Sequence, residues 1–89
     1  MTELERQQID KFISILEQEN INKVECLDYI LKEAKKLIAV GEYKIALENL
    51  LSNLDEQNII VNKDTLKSLN EIEDKDIKYL LAFSNEQNK

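Results

Sequence analysis

The sequence predicts an all-α protein, a small antiparallel bundle of four or five helices. Apolar residues recur at helical spacing in four separate segments. No proline interrupts them, and the chain has only one glycine. The one β-branched run, at 59–61, has no second strand with which to pair. A length of 89 residues fits a single domain over 1–89.

A capping box predicts the start of the first helix, which we expect to run from about Thr2 to Asn20. Thr2 takes the N-cap position and Glu5 follows three residues later, so that each side chain can bond the backbone N–H of the other residue. The apolar residues of this segment follow a helical period. They are Ile9, Phe12, Ile13 and Leu16.

Gly41 separates the second predicted helix from the third. Asn22 and Glu25 repeat the capping pattern, and an apolar stripe continues from there to Val40. The stripe comprises Val24, Leu27, Ile30, Leu31, Ala34, Leu37 and Ile38. Because glycine readily adopts the left-handed conformation that closes many helices, we expect Gly41 to end the second helix.

The third helix is expected from about Glu42 to Gln57, with Asn58 as its stop. Its apolar positions are Tyr43, Ala46, Leu47, Leu50, Leu51 and Leu54. The run Ile59-Ile60-Val61 is predicted to be a buried connector.

Asn62 is predicted to cap a fourth helix. The apolar positions of that helix are Leu66, Leu69 and Ile72. An acidic cluster then interrupts the stripe, at Glu71, Glu73, Asp74 and Asp76. The stripe resumes at Ile77, Leu80 and Leu81, either as a continuation of the fourth helix or as a fifth helix capped by Asp74 or Asp76. The polar tail at about 84–89 is expected to fray.

The composition argues against an enzyme and against a cofactor or metal. The chain has no histidine, which removes the imidazole base and the commonest metal ligand. Its one cysteine, Cys26, lies at the edge of an apolar face and is expected to be a partly buried structural thiol. The acidic cluster has no central glycine of the kind a calcium loop requires, so we expect a solvated surface there.

The net charge of −6 and pI near 4.6 disfavour direct binding to nucleic acid. The longest apolar runs are a few residues, far short of the roughly 20 needed for a membrane span. The start is acidic and polar, unlike a signal peptide. We therefore expect a cytoplasmic location.

The negative charge is concentrated, and this predicts a basic protein partner. Residues 1–20 hold five acidic and two basic side chains and residues 41–57 hold four and one, so each segment carries a net charge of −3. The predicted partner-binding residues are Glu42, Tyr43, Glu48, Asp55, Glu56 and Asp64. Tyr43 is included because tyrosine is enriched at interfaces, and its place at a bundle corner ranks it above Tyr79.

Residues 41–61 carry a family resemblance. The segment GEYKIALENLLSNL at 41–54, followed by DEQNIIV at 55–61, resembles the G-E-Y-x-x-A-L-E-x-L segment and short β-branched connector of small immunity proteins of the MafI type. The similarity covers roughly residues 37–72. It implies a helical protein that binds and blocks a cognate polymorphic toxin domain, expected to be a basic nuclease, in the cell that produces it.

Two other classes stay open from the sequence. A helical adaptor or assembly subunit would self-associate through an exposed apolar stripe, and light scattering would detect it. A bacteriocin-immunity bundle, active against a membrane-active peptide, would need a functional C-terminal tail. The sequence leaves the oligomeric state open.

Overall fold

A computed structural model describes residues 1–20 and 25–87, with side chains up to Ala82. The described residues form five helices and no strand. The helices are α1 (Glu3–Glu19), α2 (Glu25–Ala39), α3 (Tyr43–Glu56), α4 (Lys63–Lys67) and α5 (Lys75–Gln87). The predicted all-α bundle is confirmed. The predicted cap at Asn22 and the stripe position Val24 lie outside the described residues.

The capping box of α1 is present as predicted. The backbone N–H of Thr2 donates to Glu5 Oε1 at 2.8 Å, and the N–H of Glu5 donates to Thr2 Oγ1 at 3.1 Å. The helix ends at Asn20, whose N–H donates to the Leu16 carbonyl at 3.1 Å. Side-chain capping therefore fixes the start of α1, and backbone hydrogen bonds of Asn20 close its end.

Gly41 ends α2 through a Schellman motif. Its φ is +83°, the Gly41 N–H donates to the Ile38 carbonyl, and the Glu42 N–H donates to the Leu37 carbonyl, both at 2.9 Å. The reversal between α2 and α3 is thus three residues long. The two helices pack side by side as an antiparallel pair.

Asn58 ends α3 by the same geometry. Its φ is +56°, its N–H donates to the Asp55 carbonyl at 3.0 Å, and the Ile59 N–H donates to the Leu54 carbonyl at 2.9 Å. Asparagine is the residue other than glycine that most readily adopts this conformation. The predicted stop at Asn58 is confirmed.

The connector at 59–61 is only partly buried, so that prediction was wrong in one residue. Val61 is buried and Ile59 is half-buried, but Ile60 is 70% exposed. An extended backbone directs successive side chains to opposite sides, and only alternate residues can reach the core.

The fourth helix is much shorter than predicted. Asn62 caps it by accepting from the Asp64 N–H at 2.8 Å, but α4 ends at Lys67. A series of tight turns follows, in which the N–H groups at 68, 69, 70 and 72 each bond the carbonyl three residues earlier. This geometry repeats every three residues and places residues at that interval on one face. It buries Leu66, Leu69 and Ile72 together.

α5 is a separate helix capped by Asp74. Asp74 Oδ1 accepts from the N–H groups of Asp76 at 3.0 Å and Ile77 at 3.2 Å. The choice left open between a continued fourth helix and a fifth is thereby settled. α5 extends to Gln87, further than predicted, since a frayed tail was expected from about residue 84.

α3 occupies the centre of the bundle and packs against α1, α2 and α5. Every helix contributes apolar side chains to one core. The largest fully buried side chains are Phe12, Ile9, Leu47, Leu50, Leu51, Leu66, Leu69, Ile72 and Ile77. The remaining face of α3 is free to carry polar groups, and the candidate site lies there.

Candidate partner-binding surface

The predicted acidic residues are spread along α3 and do not form one patch. Glu42 precedes the first residue of α3, is exposed, and makes no capping hydrogen bond with its side chain. Glu56 is the last residue of α3 and is also exposed. At 1.5 Å per residue the two are about 20 Å apart along the helix.

Glu48 and Asp55 lie on a different side of α3 from Glu56. They are seven positions apart and therefore share one side of the helix, and both are half-buried. Lys44, on the same side, bonds Asp74 and Asp76 at the start of α5 at 3.2 and 3.3 Å. Glu48 and Asp55 thus belong to the side of α3 nearest α5.

Asp64 is separate from the α3 carboxylates. It lies in the first turn of α4, fully at the surface, and its Oδ1 is 3.5 Å from Lys67 Nζ. This exposed pair locally offsets the Asp64 charge. Asp64 therefore differs from the predicted binding residues of the α3 region, which have no ion-pair partner among the described residues.

The other four predicted carboxylates have no cation beside them in the part of the chain that the structure describes. Among the described residues, no lysine or arginine forms an ion pair with Glu42, Glu48, Asp55 or Glu56. The one lysine of α3, Lys44, is instead engaged by α5. Within the described part of the chain, this leaves negative charge along α3 without a neighbouring cation, and negative charge of this kind attracts basic surfaces.

Tyr43 is engaged inside the molecule. Its hydroxyl donates to Asp10 Oδ2 at 3.4 Å, and the Arg6 guanidinium lies 5.3 Å from the ring centroid. Partial burial, with the Asp10 carboxylate adding to it, raises the pKa of Tyr43 above its usual value of 10.0. The contacts show that Tyr43 joins α3 to α1.

Two other tyrosines present more surface to solvent. Tyr79 on α5 is 73% exposed and Tyr29 on α2 is 64% exposed. Tyr43 is half-buried and packs against the core, so it offers less surface than Tyr79, and its ranking above Tyr79 as an interface residue stays a prediction. Tyr29 was not singled out from the sequence, although its position off the apolar stripe of α2 was the available signal.

An open groove of about 550 Å³ lies between α2 and α3. Its lining is Tyr29, Ile30, Glu33, Ala34, Lys36, Leu37, Asn49, Leu50 and Asn53. Sequence reasoning missed this feature, since it depends on how two helices are placed. Grooves between helices are common binding sites for protein segments and small molecules.

The remaining candidate chemistry has structural roles. Cys26 is free and half-buried. In the acidic cluster, Asp74 caps α5 and bonds Lys44, while Glu71 Oε2 accepts from Gln8 at 2.9 Å. No three carboxylate or thiol side chains of the described residues converge as a metal site requires.

Comparison with known proteins gives no significant match to this chain among family profiles, curated proteins or solved structures. Nor do the described helices include one that is both long and apolar enough to cross a membrane. The surface of α3 and the groove beside it are therefore the basis for a functional assignment.

Proposed function

We propose that this protein is an immunity protein that binds a cognate toxin domain stoichiometrically and blocks it. The observation that carries the proposal is the set of four carboxylates along α3 and just before it, at 42, 48, 55 and 56, none of which has a cation beside it in the described part of the chain. These four carboxylates form no ion pair with the described residues. They repel one another unless a basic surface neutralises their charge.

The resemblance to MafI-type immunity proteins involves the same helix, α3, and so supports the proposal. The similar segment, roughly 37–72, covers the end of α2, all of α3 and α4. Its motif coincides with the glycine turn and the first half of α3. The part of the chain that carries the resemblance is thus also the part that carries the free carboxylates.

A nuclease is the toxin class that this surface fits. Nucleases bind anionic substrates through lysine and arginine, and an acidic protein can occupy such a surface. We propose that the partner is the basic C-terminal domain of a polymorphic toxin and that the complex forms in the cytoplasm. No residue of this chain performs chemistry in this scheme.

The direct test is protection from the toxin. Cells would express the C-terminal domain of the protein encoded immediately upstream, with and without this chain, and growth would be followed. We expect the domain to be lethal alone, harmless with this chain, and recovered with it as a complex. A domain that stays lethal in the presence of well-expressed, folded protein would contradict the proposal.

A second candidate function is a self-associating helical adaptor. The observation that favours it is the set of exposed apolar side chains at one end of the α2–α3 pair, namely Val40 and Ile45, which are 72% and 47% exposed. Light scattering of the purified protein discriminates the two functions. A stable homo-oligomer supports the adaptor, and a monomer supports the immunity protein.

A further inference from the structure

We propose that the groove between α2 and α3 docks a basic amphipathic helix of the partner protein. This inference deepens the proposed function and rests on it for the identity of the partner as a toxin domain. The chemistry of the groove itself comes from residues of this chain and can be tested separately.

The floor of the groove is apolar. Ile30 and Ala34 of α2 and Leu50 of α3 line it and are almost fully buried, while Leu37 is half-buried. An apolar side chain of the partner would be removed from water here, which is favourable, and it would not displace any polar group of the floor. The floor therefore favours leucine-like side chains.

The dimensions of the groove suit a helix of at least two turns. The lining residues of α2 run from Tyr29 to Leu37, which are eight positions apart. Eight residues span about 12 Å of helix. The exposed side chain of Val40 follows directly after α2 and lies beyond this lining. An amphipathic helix with apolar residues at positions i, i+4, i+7 and i+11 covers this length.

The α3 side of the groove adds polar specificity. Asn49 and Asn53 line it and are one helical turn apart. Their amides can both donate and accept hydrogen bonds, so they suit the polar edge of a docked helix. Ile45 lies one turn before Asn49 and continues this side with an exposed apolar residue.

Charge identifies the occupant as basic. Along α3, Glu42 lies before and Glu56 after the lining residues at 49–53, so the two carboxylates flank the groove without lining it. Neither has an ion-pair partner among the described residues. The lysine in the lining, Lys36, is 3.6 Å from Glu33 and is locally offset. Lysine or arginine near both ends of the docked helix would be attracted to these two carboxylates.

A second copy of this chain fits the groove poorly. Its net charge is also −6, and the α3 surface that it would offer carries the same free carboxylates. Like charges brought together in an interface oppose association. The charge pattern therefore favours a different protein as the occupant.

The test is a titration of the full ¹⁵N-labelled protein, followed by NMR. The probe is a helical peptide with leucine at i, i+4, i+7 and i+11 and lysine at the flanking positions, and the matched control replaces each lysine with glutamate. We expect the basic peptide to shift amide signals along the groove and the acidic peptide to shift none. Equal responses to both peptides, no response, or shifts centred on Tyr79 would overturn the proposal.

A pair of substitutions at exposed tyrosines provides the second readout. Y29R places a cation in the groove, and Y79R makes the same change on the outer face of α5. We expect Y29R to weaken binding of the basic peptide by about tenfold and Y79R to change it less than about twofold. Circular dichroism confirms that both variants are folded. Equal effects of the two substitutions would contradict the assigned groove.

The same variants separate the groove from the proposed function. If the wild type protects cells and Y29R does so as well as Y79R, the function stands and the groove proposal is overturned. If the wild type gives no protection but the basic peptide binds at the groove, the toxin assignment fails and the groove proposal stands. A dimer of the free protein that Y29R dissociates would show that a second copy occupies the groove.

Discussion

Glu5 shows how one half-buried side chain connects distant parts of the chain. Its Oε1 accepts from the Thr2 N–H at 2.8 Å, and its Oε2 accepts from the Glu73 N–H at 2.9 Å. These two backbone hydrogen bonds, in that order of effect, lower the pKa of Glu5 below its ordinary value of 4.5. The carboxylate thus holds the start of α1 beside the entry to α5.

This geometry predicts how stability depends on pH. Because the folded-state pKa of Glu5 is lowered, its contribution is present above the unfolded-state pKa and is lost as the pH falls through the folded-state value. We expect E5Q to unfold at a lower temperature at neutral pH. We also expect its stability to fall less steeply between about pH 5 and pH 3 than that of the wild type. Thermal unfolding across this range is the measurement, and parallel curves would contradict the assignment.

Asp74 combines a helix cap with an ion pair. Partial burial raises the pKa of its carboxyl, but hydrogen bonds from the Ile77 N–H and from Lys44 outweigh this, and the net pKa is lowered from its usual 3.8. We expect D74A to lose about 1 kcal/mol of unfolding free energy and D74N, which keeps the cap acceptor, to lose less. Urea unfolding gives both values. Equal losses would show that the charge, and not the cap, makes the larger contribution.

At the scale of elements, local chemistry made the helix ends predictable. Thr2 with Glu5, Gly41, Asn58 and Asn62 each occupy the position that the sequence predicted, because caps depend on residues a few positions apart. The length of α4 was not predictable in this way. Its end depends on burying Leu66, Leu69 and Ile72 against other helices, and their three-residue interval was the only local signal.

The two left-handed positions give a prediction about the helix ends. Gly41 has open space where a Cβ would stand, so the cost of G41A is conformational and not steric. We expect G41A to lose about 1 kcal/mol of unfolding free energy. Asn58 also has a positive φ. We expect N58G to change the free energy of unfolding little, since glycine relieves the backbone strain but adds entropy to the unfolded chain. Urea unfolding of both variants measures these changes. A G41A variant as stable as the wild type would contradict the prediction.

The two sides of α3 give a prediction about binding. The double variant E42Q/E56Q removes the carboxylates near the ends of the groove, and E48Q/D55N removes the same charge from the side nearest α5. We expect the first pair to weaken toxin-domain binding more, because both pairs lower long-range attraction equally and only the first faces the docked helix. Calorimetry on both variants measures this. A larger loss for the second pair would place the interface on the α5 side.

For the whole molecule, the sequence predicted the all-α bundle but not how the predicted binding residues are arranged on it. Composition and charge pointed to the region of α3, where Glu42, Glu48, Asp55 and Glu56 have no ion-pair partner among the described residues, and their role in binding stays a prediction. They did not show that Glu48 and Asp55 lie apart from Glu56, or that Tyr43 is held by Arg6 and Asp10. The groove could not be predicted from the sequence because Tyr29 and Asn53 line one groove only when α2 and α3 are packed together.

Titrating toxin activity with this protein tests whether neutralisation is stoichiometric. A fixed concentration of the purified toxin domain would be mixed with increasing amounts of this protein, and the residual activity on its substrate measured. We expect a linear fall that reaches zero at an equimolar ratio. Full inactivation by a small fraction of an equivalent would indicate turnover, and activity unchanged at excess protein would show that no blocking complex forms. Either result would rule out stoichiometric neutralisation by binding.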